Sequence, residues 1–252
     1  MIIGRLPYLN SEPFFRGLSG YKLLPIMPRD VGAMISAGLV DAAIMPSATY
    51  FALEGKVFPL KDFCISAKGP VRSVLLFSRV EITKLAGEKI GITKQTATSS
   101  ALLDVLLRKA FGVHDFTYTD DDLYSRPPAY LSIGVGEIVD EALYLHKRIR
   151  SFPGYRVYDL GELWYDWTGL PFVFALWVIR ADMDESLAAG LARDLAFALV
   201  ANLNDLEGLV EEKRRKIGLS RSEAISYIKG LTYRLGPSER LGLVRFRELL
   251  GF

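Results

Sequence analysis

Val71-Arg72-Ser73-Val74-Leu75-Leu76-Phe77-Ser78 reads as an extended strand, and directly after it the pattern of short apolar runs and helices starts afresh. Its counterpart, Phe172-Val173-Phe174-Ala175-Leu176-Trp177-Val178-Ile179, closes that second series. Between the two, the spacing predicts strands at 89–92, 116–118, 129–133 and 155–158 and an amphipathic helix at 99–111. Before them, strands at 2–4, 21–26 and 41–45 alternate with helices opening near 10–13 and at Asp30, and Pro46 stops the third strand. Strands separated by helices of about ten residues imply right-handed crossovers and a largely parallel sheet. Past 179 the chain turns helical, first at 185–202, where Leu187, Leu191, Leu195 and Leu199 recur four apart, then at 205–217, 220–229 and 238–250. The economical arrangement is an α/β fold of two lobes. One is 1–78 plus 174–252, the other an inserted 79–173, with 71–78 and 172–179 crossing between them and a ligand cleft where they meet.

Composition narrows the function classes. The chain has 252 residues, half of them hydrophobic and 24% charged, enough for a substantial core. Its 31 Lys and Arg nearly balance 29 Asp and Glu, so no cationic excess is left to follow a nucleic-acid backbone. The densest basic run, Lys213-Arg214-Arg215-Lys216, follows Glu211-Glu212 and reads as a solvated helix face. One cysteine, Cys64, and two histidines, His114 and His146, exclude an internal disulfide framework and a Cys/His zinc site. Met1-Ile2-Ile3-Gly4-Arg5 carries no basic region with a cleavable apolar stretch behind it, and 172–179 is far shorter than the ~20 residues that span a bilayer. The expectation is a cytoplasmic protein without a membrane or nucleic-acid partner.

The chemistry sits at two places. Thr93-Lys94-Gln95-Thr96-Ala97-Thr98-Ser99-Ser100 joins a strand to a helix, and unpaired N–H groups there, with hydroxyls of Thr96, Thr98, Ser99 and Ser100, suit a carboxylate or phosphate. Ordinary capping needs only one hydroxyl. Asn10 follows the first strand at the end where open α/β sheets bind ligands, although a turn asparagine bonded to its own backbone reads equally well. Ser73, on an apolar strand, needs a backbone or ligand partner. Gly134-Val135-Gly136 lacks the third glycine of a dinucleotide loop, and the consecutive Asp120-Asp121-Asp122 has no calcium-loop spacing. Trp164 and Trp167 share one helical face and read first as core. No nucleophile motif occurs, and neither histidine has the neighbours of a general base.

Two stretches carry a family likeness: Tyr8-Leu9-Asn10-Ser11-Glu12-Pro13, and the segment from Asp159-Leu160-Gly161-Glu162-Leu163-Trp164 through Trp167-Thr168-Gly169-Leu170-Pro171-Phe172 to Ala175. With Gly69-Pro70-Val71-Arg72-Ser73 and the hydroxyls at 96–100, they resemble the chorismate dehydratases of the futalosine route to menaquinone. The resemblance implies a two-lobed, type II periplasmic-binding-protein-like fold and a cofactor-free, metal-free dehydration of chorismate to 3-[(1-carboxyvinyl)oxy]benzoate. It brings Asn10 and Ser73 to the cleft as catalytic groups. Thr96, Thr98, Ser99, Ser100 and the Thr168-Gly169-Leu170-Pro171 turn become the substrate-binding set. The family usually shows Ile-Gly-Asp near the end of the inserted lobe, whereas here Val135 follows Ile133-Gly134 and Glu137 is the nearest acid. Loss of the C4 hydroxyl and the C3 proton makes the ring aromatic, and a carboxylate of the substrate itself is the expected base. A sister enzyme making 1,4-dihydroxy-6-naphthoate and a non-catalytic carboxylate receptor share the fold. The Tyr-Leu-Asn and Trp-Thr-Gly-Leu-Pro-Phe segments favour the dehydratase. A receptor predicts a signal peptide or lipidated cysteine.

Overall fold

The computed structural model describes residues 1–92, 97–121, 125–133 and 153–252. The strands are β1 (Ile2–Arg5), β2 (Lys22–Pro25), β3 (Ala42–Pro46), β4 (Val57–Ala67), β5 (Val74–Ser78), β6 (Glu88–Ile92), β7 (Phe116–Thr119), β8 (Ala129–Ile133), β9 (Arg156–Asp159), β10 (Phe172–Arg180) and β11 (Leu231–Arg234). They form a six-stranded sheet, β11-β4-β10-β3-β1-β2, and a five-stranded sheet, β7-β6-β8-β5-β9.

Neither sheet is the largely parallel one that the alternation predicts; both are mixed. β1 runs parallel to β2 and β3, as helical crossovers require, but β10 is antiparallel to β3 and β4. In the second sheet β6 is parallel to β7 and β8, while β5 is antiparallel to β8 and β9. The cause is the path of the chain. β5 enters from the other sheet through irregular backbone and β10 returns through the helix Leu160–Thr168, so neither is joined to a partner in its own sheet by a βαβ crossover and each is free to run opposite to its neighbours. The strand expected at 71–78 begins only at Val74, and both of its neighbours lie in the five-stranded sheet. Residues 68–73 make the passage as irregular backbone. Arg72 there adopts a left-handed φ of 65°, costing of order 1–3 kcal/mol that the surroundings must offset.

β10 is buried along most of its length, its register with β4 broken by two irregularities. Aromatic rings fix the layers on it. Phe14 makes edge contacts with Phe63, Trp177 and Tyr233 at 5.6–5.7 Å, and Trp164, Phe172 and Phe246 meet at 4.8–5.9 Å. The helix Glu185–Asn204 is long and apolar enough by composition to cross a membrane. Its Leu191, Leu195 and Leu199 are nonetheless buried in the core.

Candidate functional site

Space opens between the two sheets. The cleft is partly open to solvent, with a cavity volume of about 100 Å3. It is lined by the apolar side chains of Leu6, Tyr8, Pro28, Pro46, Ile65, Val71, Val74, Ala97, Phe174 and Ala175 and by the polar Asn10, Ser73, Thr98 and Ser99. Among the described residues that line it, none is charged. The first sheet contributes the carboxyl ends of β1 and β3, where parallel sheets present ligand sites.

Each polar group has a local cause. Asn10 stands in the 3-10 turn Leu9–Ser11. The Ser11 hydroxyl ties that turn down, donating to the carbonyls of Leu6 at 3.1 Å and Tyr8 at 2.8 Å. Ser73 is 6% exposed, and its Oγ accepts from Tyr227 Oη at 2.9 Å. With the tyrosine as donor, the serine's own proton is left for a partner in the cleft.

The helix Thr98–Val105 points its first turn at the same space. Its N-cap is Ala97, which supplies no capping side chain, so capping does not consume the N–H groups of 98–100. Thr98 Oγ1 accepts from the Ala48 N–H at 3.1 Å, which links the helix to the segment after β3. Among the described residues neither the Ser99 hydroxyl nor the Asn10 amide has a protein partner, and both line the cleft. Ser100 is placed differently: its Oγ donates to the Ala97 carbonyl at 3.1 Å and does not line the cleft. Thr96 lies outside the described residues, as do the Gly134-Val135-Gly136 loop, Glu137 and His146.

A family model described as menaquinone biosynthesis matches residues 1–251. The chorismate dehydratase of Thermus thermophilus is 30% identical over 261 residues, covering 99% of this chain and 95% of that protein. This chain belongs to the chorismate dehydratase family of menaquinone biosynthesis. Solved structures agree on the fold. A structural-genomics target from Archaeoglobus fulgidus superposes with a TM-score of 0.79 at 16% identity, over 98% of this chain and 95% of that one. The periplasmic aliphatic sulphonate binding protein of Escherichia coli does so with 0.65 at 14%, over 99% and 85%. The fold of this family member is thus the periplasmic-binding-protein fold, with two mixed sheets flanking a cleft.

The long Asp159–Ala175 signature of the family serves the return to the first sheet more than the cleft. None of Thr168, Gly169, Leu170 or Pro171 lines it. Thr168 Oγ1 donates to the Trp164 carbonyl at 2.7 Å and accepts from the Leu170 N–H at 3.2 Å, while Gly169, with φ 70°, ends the helix Leu160–Thr168. The Pro171 carbonyl packs where Gly242 has no Cβ; a larger residue at 242 would collide with it. These residues are a helix stop followed by a close helix–strand approach. Only Phe174 and Ala175 of the signature reach the cleft.

Tyr227 is the cleft partner that sequence reading missed, because nothing local to Ile225-Ser226-Tyr227 distinguishes it from a helix core position. Cys64 is fully buried in β4, and burial pushes its thiol up to about 12, so it is inert as a nucleophile. Among the described residues no three His, Cys, Asp or Glu side chains converge as metal ligands would.

Proposed function

We propose that the chain is a carbon–oxygen lyase that eliminates water from chorismate, giving 3-[(1-carboxyvinyl)oxy]benzoate for menaquinone biosynthesis. The observation that carries this reading is the cleft itself, where an uncapped helix N-terminus, Asn10 and Ser73 share one largely apolar lining, in a chain of the dehydratase family. Chorismate is a dianion with an apolar ring. Neutral N–H and O–H donors with a helix dipole hold carboxylates without a countercharge, and the apolar lining accepts the ring.

The two sheets with their helices act as two lobes that close on the substrate and exclude water. In a drier cleft every donor interacts more strongly with developing charge. The N–H groups of 98–100 and the hydroxyls of Thr98 and Ser99 hold one carboxylate. Asn10 and Ser73 flank the ring, and the Ser73 proton bonds the C4 oxygen as it leaves. A carboxylate of the substrate takes the C3 proton, the C3–H electrons form the new ring double bond, and the C4–O bond breaks with its pair; the departing hydroxide takes that proton from the carboxylic acid and leaves as water. Aromaticity supplies the driving force, and no step calls for a cofactor. The reaction belongs among cytoplasmic biosynthetic steps.

Purified protein mixed with chorismate is expected to give an aromatic product lighter by one water, followed by absorbance and mass spectrometry. Binding without turnover would overturn the assignment in favour of a receptor. A second outcome tests the helix terminus. Ser99→Ala removes a hydroxyl that has no structural partner, so stability is expected to hold while affinity for chorismate falls about tenfold, the lower end for a charge-assisted bond. Unchanged affinity by calorimetric titration would return the carboxylate to the backbone N–H groups alone.

A further inference from the structure

The Asn10 amide has no protein partner among the described residues, so its aim is set only by the backbone of its turn. What holds that backbone comes from far away in sequence. Lys213, first of the basic run that reads as a solvated face, is turned inward. Its side chain is 17% exposed, against 70% for Arg215 and Lys216. An ammonium has three N–H donors, and Lys213 finds an acceptor for each. Glu12 Oε1 lies at 2.7 Å, the Tyr8 carbonyl at 3.3 Å, and the Pro7 carbonyl completes the set. Glu12, 9% exposed at its side chain, is shared with Arg5 at 3.0 Å.

Together with the Ser11 bonds, Lys213 leaves the carbonyls of Leu6, Pro7 and Tyr8 all engaged. Burying a lysine merely to neutralise one glutamate is a poor stability device, since the desolvation of both charges offsets their attraction. Two of its three bonds go instead to the peptide carbonyls just before Asn10.

We infer that Lys213, backed by Glu12, is a positioning residue for the elimination: it fixes the Pro7–Asn10 backbone and thereby aims the Asn10 amide at the reacting ring. This rests on the reading of Asn10 as a catalytic group. Lys213 touches no substrate and acts only through the turn.

The test is a double-mutant cycle in the intact protein, with kcat, KM and thermal melting measured for each variant on chorismate. Lys213→Met is expected to lower kcat roughly 10- to 100-fold with KM changed less than about threefold, because a misaimed group of about 1 Å costs up to ~10² in rate. In an Asn10→Ala background the same substitution is expected to cost less than about twofold, since the group it aims is gone. A purely structural lysine would lower the melting temperature and multiply its loss onto that of Asn10→Ala; such additivity, or an unchanged kcat in Lys213→Met, overturns the inference. Should Lys213→Met not fold, Glu12→Gln keeps the ammonium on the two carbonyls but loosens it. It is expected to cost kcat severalfold in the native background and nothing in Asn10→Ala, and additivity there overturns the inference equally. Normal turnover in Asn10→Ala alone is a separate failure, that of the reading on which the inference rests.

Discussion

Ser73→Ala and Asn10→Ala are each expected to lower turnover of chorismate by about 10²–10³ while leaving the fold and most of the affinity intact. The magnitude is that of removing one preorganised donor from a water-excluded site. Preorganisation is visible at Ser73. The serine is 6% exposed on the approach to β5, and Tyr227 Oη donates to it at 2.9 Å. With the tyrosine donating, the serine proton is left for a ligand in the cleft. A donor that has itself accepted a bond is polarised into a stronger one. Alanine removes one oxygen and leaves the strand pairing of Val74–Ser78 untouched, so melting should shift by a few degrees at most.

At Asn10 the argument is complementary. The amide is half-buried, lines the cleft and spends nothing on its own turn, because Ser11 and Lys213 supply the turn's bonds. Its removal should therefore appear in kcat rather than in stability. Steady-state kinetics beside thermal melts decide both variants. Near-normal turnover in well-folded Ser73→Ala and Asn10→Ala would remove these residues from the mechanism.

How much of this was legible in the sequence differs by element, for physical reasons. Strands with short apolar runs between turn residues came out nearly residue for residue: 129–133 is β8 and 172–179 is β10 less Arg180. β4 went unread. Pro59, and Lys61 at φ 56°, interrupt its alternation, and between Pro59 and Cys64 the strand bulges against β10. β11 is four residues directly after Gly230, too short for a period to show. The orientation of β5 and β10 depends on which sheet each strand joins, which no local pattern encodes.

The same division runs through the cleft. Thr98 and Ser99 announced themselves as surplus hydroxyls at a helix start, and the structure places both on the cleft. Ser100, one residue on, looks identical in sequence, yet a helix turns each residue by 100° and the third hydroxyl meets its own Ala97 carbonyl. Lys213 was misread for a related reason. A basic run on a helix is mostly solvated, but one position in each turn must face the body of the protein, and here the body offers Glu12 and two carbonyls.

Asp159→Ala is expected to destabilise the fold by about 3–5 kcal/mol, because one carboxylate there holds both passages between the sheets. Oδ1 accepts from the N–H groups of Val71 at 3.0 Å, Gly161 at 2.9 Å and Glu162 at 3.2 Å, and Oδ2 accepts from Arg72 at 2.5 Å. Two of these donors open the helix Leu160–Thr168, and the other two belong to the irregular passage into β5. Gly161 permits the approach, since a Cβ there would meet the Gly69 carbonyl at 2.7 Å. Arg72, with its left-handed φ of 65°, depends on this anchor. Burial pushes the Asp159 carboxyl above its ordinary range, and the four N–H bonds oppose that shift. With the folded pKa raised, ionising Asp159 subtracts from stability as pH rises through that value, so this group does not make the fold acid-labile.

Asp159→Asn separates the two jobs. Asparagine keeps one oxygen for the helix start, where it caps as well as aspartate. Its amide nitrogen then faces the Arg72 N–H, donor against donor. The loss should be roughly half that of Asp159→Ala, and it should fall on the passage that carries Ser73. Chemical denaturation of the two variants gives both numbers. An Asp159→Ala loss below about 1 kcal/mol would mean that the passages are held by packing alone, while equal losses in the two variants would place the whole effect on the bond to Arg72.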